Sequence, residues 1–221
     1  MKVVKVVEAT ATGTLSMVTC SANLLAKKGI DVTVIYSSRP ETPDNLHSLF
    51  EKNITLIPLS MSGKHLLSAP WKLHKLLRQI SPDILHLHSS FAGFIGRLGA
   101  VGLRIPIVYS PHCISFMRKD IGLLKQWIFT SLEWVACIFG RNYLACSMSE
   151  ANAIKAKIPF AHCELVENAV AEPEVSPALK QTSGPRVVAT VGQIRTQKGP
   201  LVFADIARHF ADDDNVSFIW I

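Results

Sequence analysis

Short apolar runs rich in β-branched residues alternate with helical stretches along the chain, and few architectures accept that alternation. Residues 3–7, 31–36, 54–59, 84–87, 107–110, 143–146 and 163–166 read as short buried strands. Helical patterns fall between them at about 15–28, 70–80, 91–101 and 122–139, with a further helix opened by Ser149 as N-cap. Pro70 suits a helix start, and Gly29 stands where a C-cap glycine would end the first helix. This order predicts an α/β fold with a parallel, doubly wound, Rossmann-like sheet.

In such a sheet, ligands bind outside the carboxyl ends of the strands. Ser81-Pro82-Asp83 is turn chemistry, residues 84–87 form a strand, and the polar His88-Ser89-Ser90 stands at its end. Ala92, Gly93, Gly96, Gly99 and Ala100 then let the next helix lie close against the sheet. The pattern recurs at residues 107–110, which run into Pro111-His112. His88 and His112 are therefore candidates for one cleft edge, with packing and cleft lining equal readings for His88. His112 is the sharper of the two, because Arg118 and Lys119 follow it and its imidazole can donate to sugar or phosphate oxygens. His86 and His88 share a strand face, and an H-x-H pair can ligate zinc, but only Asp83 lies near enough in sequence to extend the set. A packed, hydrogen-bonded His86 is the simpler expectation.

The first loop, residues 9–14, is built of small residues around Gly13 and leads into a helix, so its backbone N–H groups can face a phosphate. It lacks both G-x-G-x-x-G and a Walker lysine, which removes the motif support for dinucleotide-dependent dehydrogenases and P-loop enzymes. An ordinary βα connection fits the same residues. The loop at 37–53 carries no recognisable chemistry.

With 48% hydrophobic and 18% charged residues, the 221-residue chain has ample core material and is not a disordered one. Its net charge of +6 suits phosphorylated ligands, an anionic membrane surface or nucleic acid. Five cysteines without a C-x-x-C pair fit a reducing cytosol and read as small core residues. Residues 1–8 form a first strand and not a signal peptide. Residues 122–139 carry Lys125, Gln126 and Glu133, which argues against a membrane span; a buried amphipathic helix and an interfacial membrane helix remain open. Prolines, serines and acidic residues cluster at 171–185, which divides the chain into a domain at 1–172, a linker at 173–185 and a β-α-β unit at 186–221.

Taken in order, several segments resemble glycosyltransferase family 4, retaining enzymes of the GT-B fold that use sugar nucleotides. They are the Gly13 loop, residues 28–34, 82–88 and 106–112, Ala145-Cys146-Ser147, Val166-Glu167-Asn168, and residues 191–199. The resemblance implies that Gly13 sits by the donor diphosphate, that His112 borders the reacting sugar and is catalytic, and that Lys198 neutralises the phosphates. It implies no cofactor and no bound metal. Thr12-Gly13 replaces the family's Gly-Gly, and Gln193 stands where the family has a phosphate-binding arginine; either Arg195 takes over that role or donor affinity is weak. The family's paired glutamates lie further along than Ile221, so the second Rossmann-like domain and the donor site are expected to be incomplete here. The implied function is transfer of a sugar from a nucleotide-diphosphate donor to a glycan or lipid-linked acceptor in surface polysaccharide assembly. The expected location is the cytoplasm with no nucleic-acid partner, and the charge of +6, the Arg118-Lys119 pair and the apolar stripe at 127–139 add an expectation of peripheral, electrostatic contact with the inner face of an anionic membrane. A nucleotide-sugar epimerase of the same fold and a truncated, non-catalytic binding module stay open as alternatives.

Overall fold

The computed structural model describes residues 1–169, 184–192, 194 and 196–221. Met1–Ala171 and Glu172–Ile221 form two compact units. In the first, seven parallel strands are ordered β3-β2-β1-β4-β5-β6-β7. These are β1 (Lys2–Val7), β2 (Asp31–Tyr36), β3 (Thr55–Pro58), β4 (Ile84–His88), β5 (Ile107–Ser110), β6 (Asn142–Ala145) and β7 (His162–Leu165). The chain winds outward from β1 in one direction and from β4 in the other. The switch point between β1 and β4 is where a ligand crevice is expected in a sheet of this kind.

The helices are α1 (Thr12–Lys27), α2 (Ala69–Ile80), α3 (Ser90–Gly99), α4 (Leu123–Cys137) and α5 (Met148–Lys157). α1 begins three residues earlier than the apolar pattern alone suggests, because the small polar residues of the first loop join its first turn. Ser147, not Ser149, caps α5: its Oγ accepts from the Glu150 N–H. Gly29, at φ +77°, takes the left-handed conformation that turns the chain from α1 into β2. α3 lies so close to the sheet that a Cβ on Gly96 would sit 2.2 Å from the Leu87 side chain, and one on Gly93 would sit 2.3 Å from the Tyr109 ring. Two apolar clusters cover the sheet. One gathers Val7, Val18, Ala22, Val34 and Tyr36, and the other Leu73, Leu85, Leu87, Ile95 and Tyr109.

α4 departs from the buried amphipathic helix. Leu123, Leu124, Trp127, Ile128, Val135 and Ile138 are exposed, while Glu133, Ala136 and Cys137 face inward. Glu133 is drawn in by Arg97, which is fully buried: Arg97 donates to Glu133 Oε2 at 2.7 Å and to the Tyr143 hydroxyl at 2.6 Å. Tyr143 in turn donates to Glu133 Oε2 at 3.0 Å, and Tyr109 donates to Glu133 Oε1 at 3.3 Å. The cysteines are also less uniform than core residues, since Cys137 and Cys163 are buried but Cys113 is exposed.

In the second unit, β8 (Arg186–Thr190) pairs in parallel with β9 (Val216–Trp220), and α6 (Pro200–His209) connects them. Phe203 of α6 meets Phe218 and Trp220 edge-on. Most of the interval between the units, including the prolines at 173 and 177, lies outside the described residues.

Candidate active site

The carboxyl ends of β1, β4 and β5 gather the unit's most unusual residues. Lys5 on β1 lies opposite His86 on β4, and His88 lies two residues further on the same face. Lys5 is 1% exposed and His88 2%. The Lys5 Nζ is 3.0 Å from Ser21 Oγ of α1, 3.2 Å from His86 Nδ1 and 3.4 Å from His88 Nε2. His86 reaches Ser110 Oγ at 2.9 Å, and His88 Nδ1 reaches His112 Nε2 at 3.0 Å. Each imidazole of the H-x-H pair thus has one nitrogen against the Lys5 amine and the other against a second partner, Ser110 for His86 and His112 for His88. Burial lowers the Lys5 pKa to about 8. Burial, and then the neighbouring charges, hold His86 and His88 well below the usual imidazole range.

His112 follows β5 directly, is half-buried, and has φ +52°, with Cys113 next at +78°. Ser89, at the tip of β4, has φ +74°. Non-glycine residues in such conformations persist only where the surroundings hold them, and they concentrate at ligand sites. What holds the His112 turn is Glu150 of α5, a buried carboxylate that accepts from Cys113 N at 2.8 Å, Ile114 N at 2.9 Å and Cys146 N at 3.0 Å. Burial and Glu150 together push the Cys146 thiol up to about 11, which makes it a poor nucleophile at neutral pH.

Beside these tips, the loop between β1 and α1 is tied down by residues from 37–53. Glu8 pairs with Arg39, and Thr10 donates to the Ser37 carbonyl at 2.8 Å. Gly13 lies in the first turn of α1, where no side chain caps the helix and nothing comes within 4 Å of a Cβ built on it. The first N–H groups of α1 therefore have no side-chain cap. In the second unit, Lys198 is exposed at the end of a 3-10 turn, Thr196–Lys198, that precedes α6, and its stem lies 3.8 Å from a Cβ built on Gly192. Gln193 and Arg195 lie outside the described residues.

The sequence profile of Glycosyltransferase Family 4 matches residues 15–172. The chain belongs to that family. A UDP-Gal:alpha-D-GlcNAc-diphosphoundecaprenol alpha-1,3-galactosyltransferase of Escherichia coli is 29% identical over 183 residues, covering 74% of this chain and 43% of that protein. The family 4 chain thus spans less than half the length of this curated relative. Its fold is that of Anabaena Alr3699/HepE in complex with UDP and glucose, with a TM-score of 0.72 at 16% identity over 100% of this chain and 60% of that one. It is also that of the UDP-GlcNAc 2-epimerase of Neisseria meningitidis bound to UDP-GlcNAc, with a TM-score of 0.67 at 17% identity, covering 65% of that chain. Likeness at such identity concerns the fold alone, which transferases and epimerases share.

For this family 4 chain the expected pair, His88 and His112, does come together, but His88 does not line an open cleft. It is buried behind His112: His88 lies level with Ser110 of β5, and His112 follows two residues beyond that register. Sequence reading passed over Lys5, Glu8, Arg39 and Glu150. Glu150 had a local signal, the spacing Ser147-x-x-Glu150 of a capping box. Its carboxylate reaches past the cap to the His112 loop. Lys5 in the middle of an apolar strand was the other available sign, since a lone lysine in a central strand needs a partner.

Proposed function

We propose that the whole protein transfers a sugar from a nucleoside-diphosphate donor, most simply a UDP-sugar, to a lipid-linked acceptor at a membrane surface. Family membership with the His112 turn at the β5 tip carries this reading. In it, Met1–Ala171 supplies the acceptor side and the β8-α6-β9 unit begins the nucleotide-sugar side. The donor C1–O bond to the diphosphate breaks as the acceptor oxygen bonds to C1 on the same face, and the acceptor proton leaves with the diphosphate. His112 offers a hydrogen to the reacting sugar. In this reading the N–H groups at Gly13 serve the donor diphosphate, where negative charge develops and donors count most; Lys198 is the second unit's candidate for the same charge, and Arg195, outside the described residues, joins it on the family resemblance alone. Membrane contact runs through α4. Its exposed face and the end of α5 enclose a groove of about 720 Å³ lined by Leu123, Trp127, Trp134, Val135 and Lys157, suited to lipid chains beside anionic headgroups. Arg118 adds less charge to this surface than its neighbour Lys119, because it forms a bidentate pair with Asp120 at 2.6 and 3.1 Å.

The test is transfer of radiolabelled sugar from UDP-sugars to a polyprenyl-diphosphate glycan by the whole protein. We expect His112→Ala to lower turnover by roughly a hundredfold or more while the melting temperature stays nearly unchanged. Near-normal turnover removes His112 from the chemistry. Inversion of the donor sugar in the absence of acceptor replaces transferase with epimerase.

A further inference from the structure

Lys5 is a cation placed inside a parallel sheet, against the general preference for apolar residues there, and its hydrogen bonds specify a single proton arrangement. An ammonium has three hydrogens and no acceptor site. Lys5 Nζ meets three polar atoms: Ser21 Oγ, His86 Nδ1 and His88 Nε2. Ser21 gives its own hydrogen to the Met17 carbonyl at 2.7 Å, so its oxygen accepts from Lys5. With the ammonium donating to all three, each later step follows. His86 accepts at Nδ1 and carries its hydrogen on Nε2, which donates to Ser110 Oγ. His88 accepts at Nε2 and carries its hydrogen on Nδ1, which donates to His112 Nε2 at 3.0 Å. His112 therefore accepts at Nε2, and its one remaining hydrogen stands on Nδ1.

The ring geometry supports that last bond. The His88 and His112 planes are within 9° of parallel, and their centroids are 5.3 Å apart. With the nitrogens at 3.0 Å, this separation is about the sum of the N···N distance and the two ring radii. The bond thus runs end to end along both imidazoles and not between stacked faces.

We propose that Lys5, acting through His88, is the positioning residue that holds His112 in the neutral, Nδ1-protonated form and so aims a hydrogen-bond donor at the sugar. The proposal rests on the transferase reading for what His112 does and on the geometry alone for how His112 is held. Neutral imidazoles along the chain agree with the lowered basicity of His86, His88 and His112, which burial and the Lys5 charge produce, although Glu150 pulls His112 the other way. The groups facing Lys5 are Ser21 from α1 and His86 and His88 from β4, with His112 beyond them. No carboxylate among the described residues is hydrogen-bonded or ion-paired to its ammonium.

Imidazole ¹⁵N spectra of the 221-residue chain at neutral pH, assigned with His112→Gln, test this directly. The expected wild-type spectrum has a protonated Nδ1 and a bare Nε2 on His112. Lys5→Met should turn that signal into a mixture of tautomers and raise the His112 pKa. In the whole protein it should lower kcat by roughly tenfold to a hundredfold with the donor KM little changed. A wild-type His112 protonated on Nε2, or a Lys5→Met spectrum identical to wild type, overturns the proposal. Should Lys5→Met fail to fold, the wild-type tautomer alone decides. Full transfer by His112→Ala would instead overturn the role of His112 and leave the tautomer result standing.

Discussion

Lys5 couples stability to pH in a direction opposite to that of a surface lysine gaining a partner. Its pKa falls from an ordinary 10.5 to about 8 on folding. Between those values the unfolded chain binds more protons, so stability rises with pH across that interval and is flat below it. The full rise is worth about 3 kcal/mol. Tyr109 and Tyr143 act the other way at the top of the range. Burial raises both, so the unfolded tyrosines ionise first and stability falls as pH passes about 10. Urea denaturation should therefore show stability increasing from about pH 8 to about pH 10, and Lys5→Met should abolish the increase and be more stable at neutral pH. A wild-type curve flat over that window would mean that folding does not lower the Lys5 pKa. Transfer by the whole protein should decline as stability improves, because loss of the ammonium frees the tautomers it sets. A buried charge that lowers stability is a familiar mark of a functional site. On the acid side, the depressed pKa values of His86, His88 and His112 add a loss of stability as pH falls through about 6.5.

Among the elements, α4 combines a charged inward face with an apolar outward one. Removing one member of the Arg97–Glu133 pair leaves the other buried and uncompensated, so Glu133→Ala should cost about 3–5 kcal/mol in urea denaturation. Pairing Arg97→Met with Glu133→Leu should recover most of that loss. A small effect of Glu133→Ala alone would show that water reaches the site. The outer face makes its own prediction. Anionic vesicles should sediment the protein, less so as salt is raised, and Trp127→Glu should weaken binding. Equal binding to neutral vesicles would rule out the electrostatic contribution. From sequence, the apolar stripe of α4 was legible but its direction was not. Apolar side chains occupy most of its circumference, and the partner that draws Glu133 inward is Arg97 on another helix. α3 was easier to read, because Gly93 and Gly96 record a close approach in residue type alone.

For the molecule, every buried hydrophobic side chain among the described residues lies at or before Cys163. Met1–Ala171 should therefore fold alone, with a melting temperature within about 3 °C of the 221-residue chain. A much lower value would mean that the second unit contributes to the core of the first. The sequence by itself determined the order of strands and helices, the parallel sheet, and histidines at two strand tips. Those follow from hydrophobic period, β-branched runs, prolines and glycines, which act over a few residues and can be read over a few. Only the tertiary structure decided that His88 lies behind His112, that Lys5 orients both, that Glu150 holds the strained turn, and that Glu133 faces inward. Each depends on side chains from different strands and helices, brought together by the order β1-β4-β5 in the sheet. Lys5 and His88 are 83 residues apart in sequence, and no local pattern encodes a hydrogen bond across that distance.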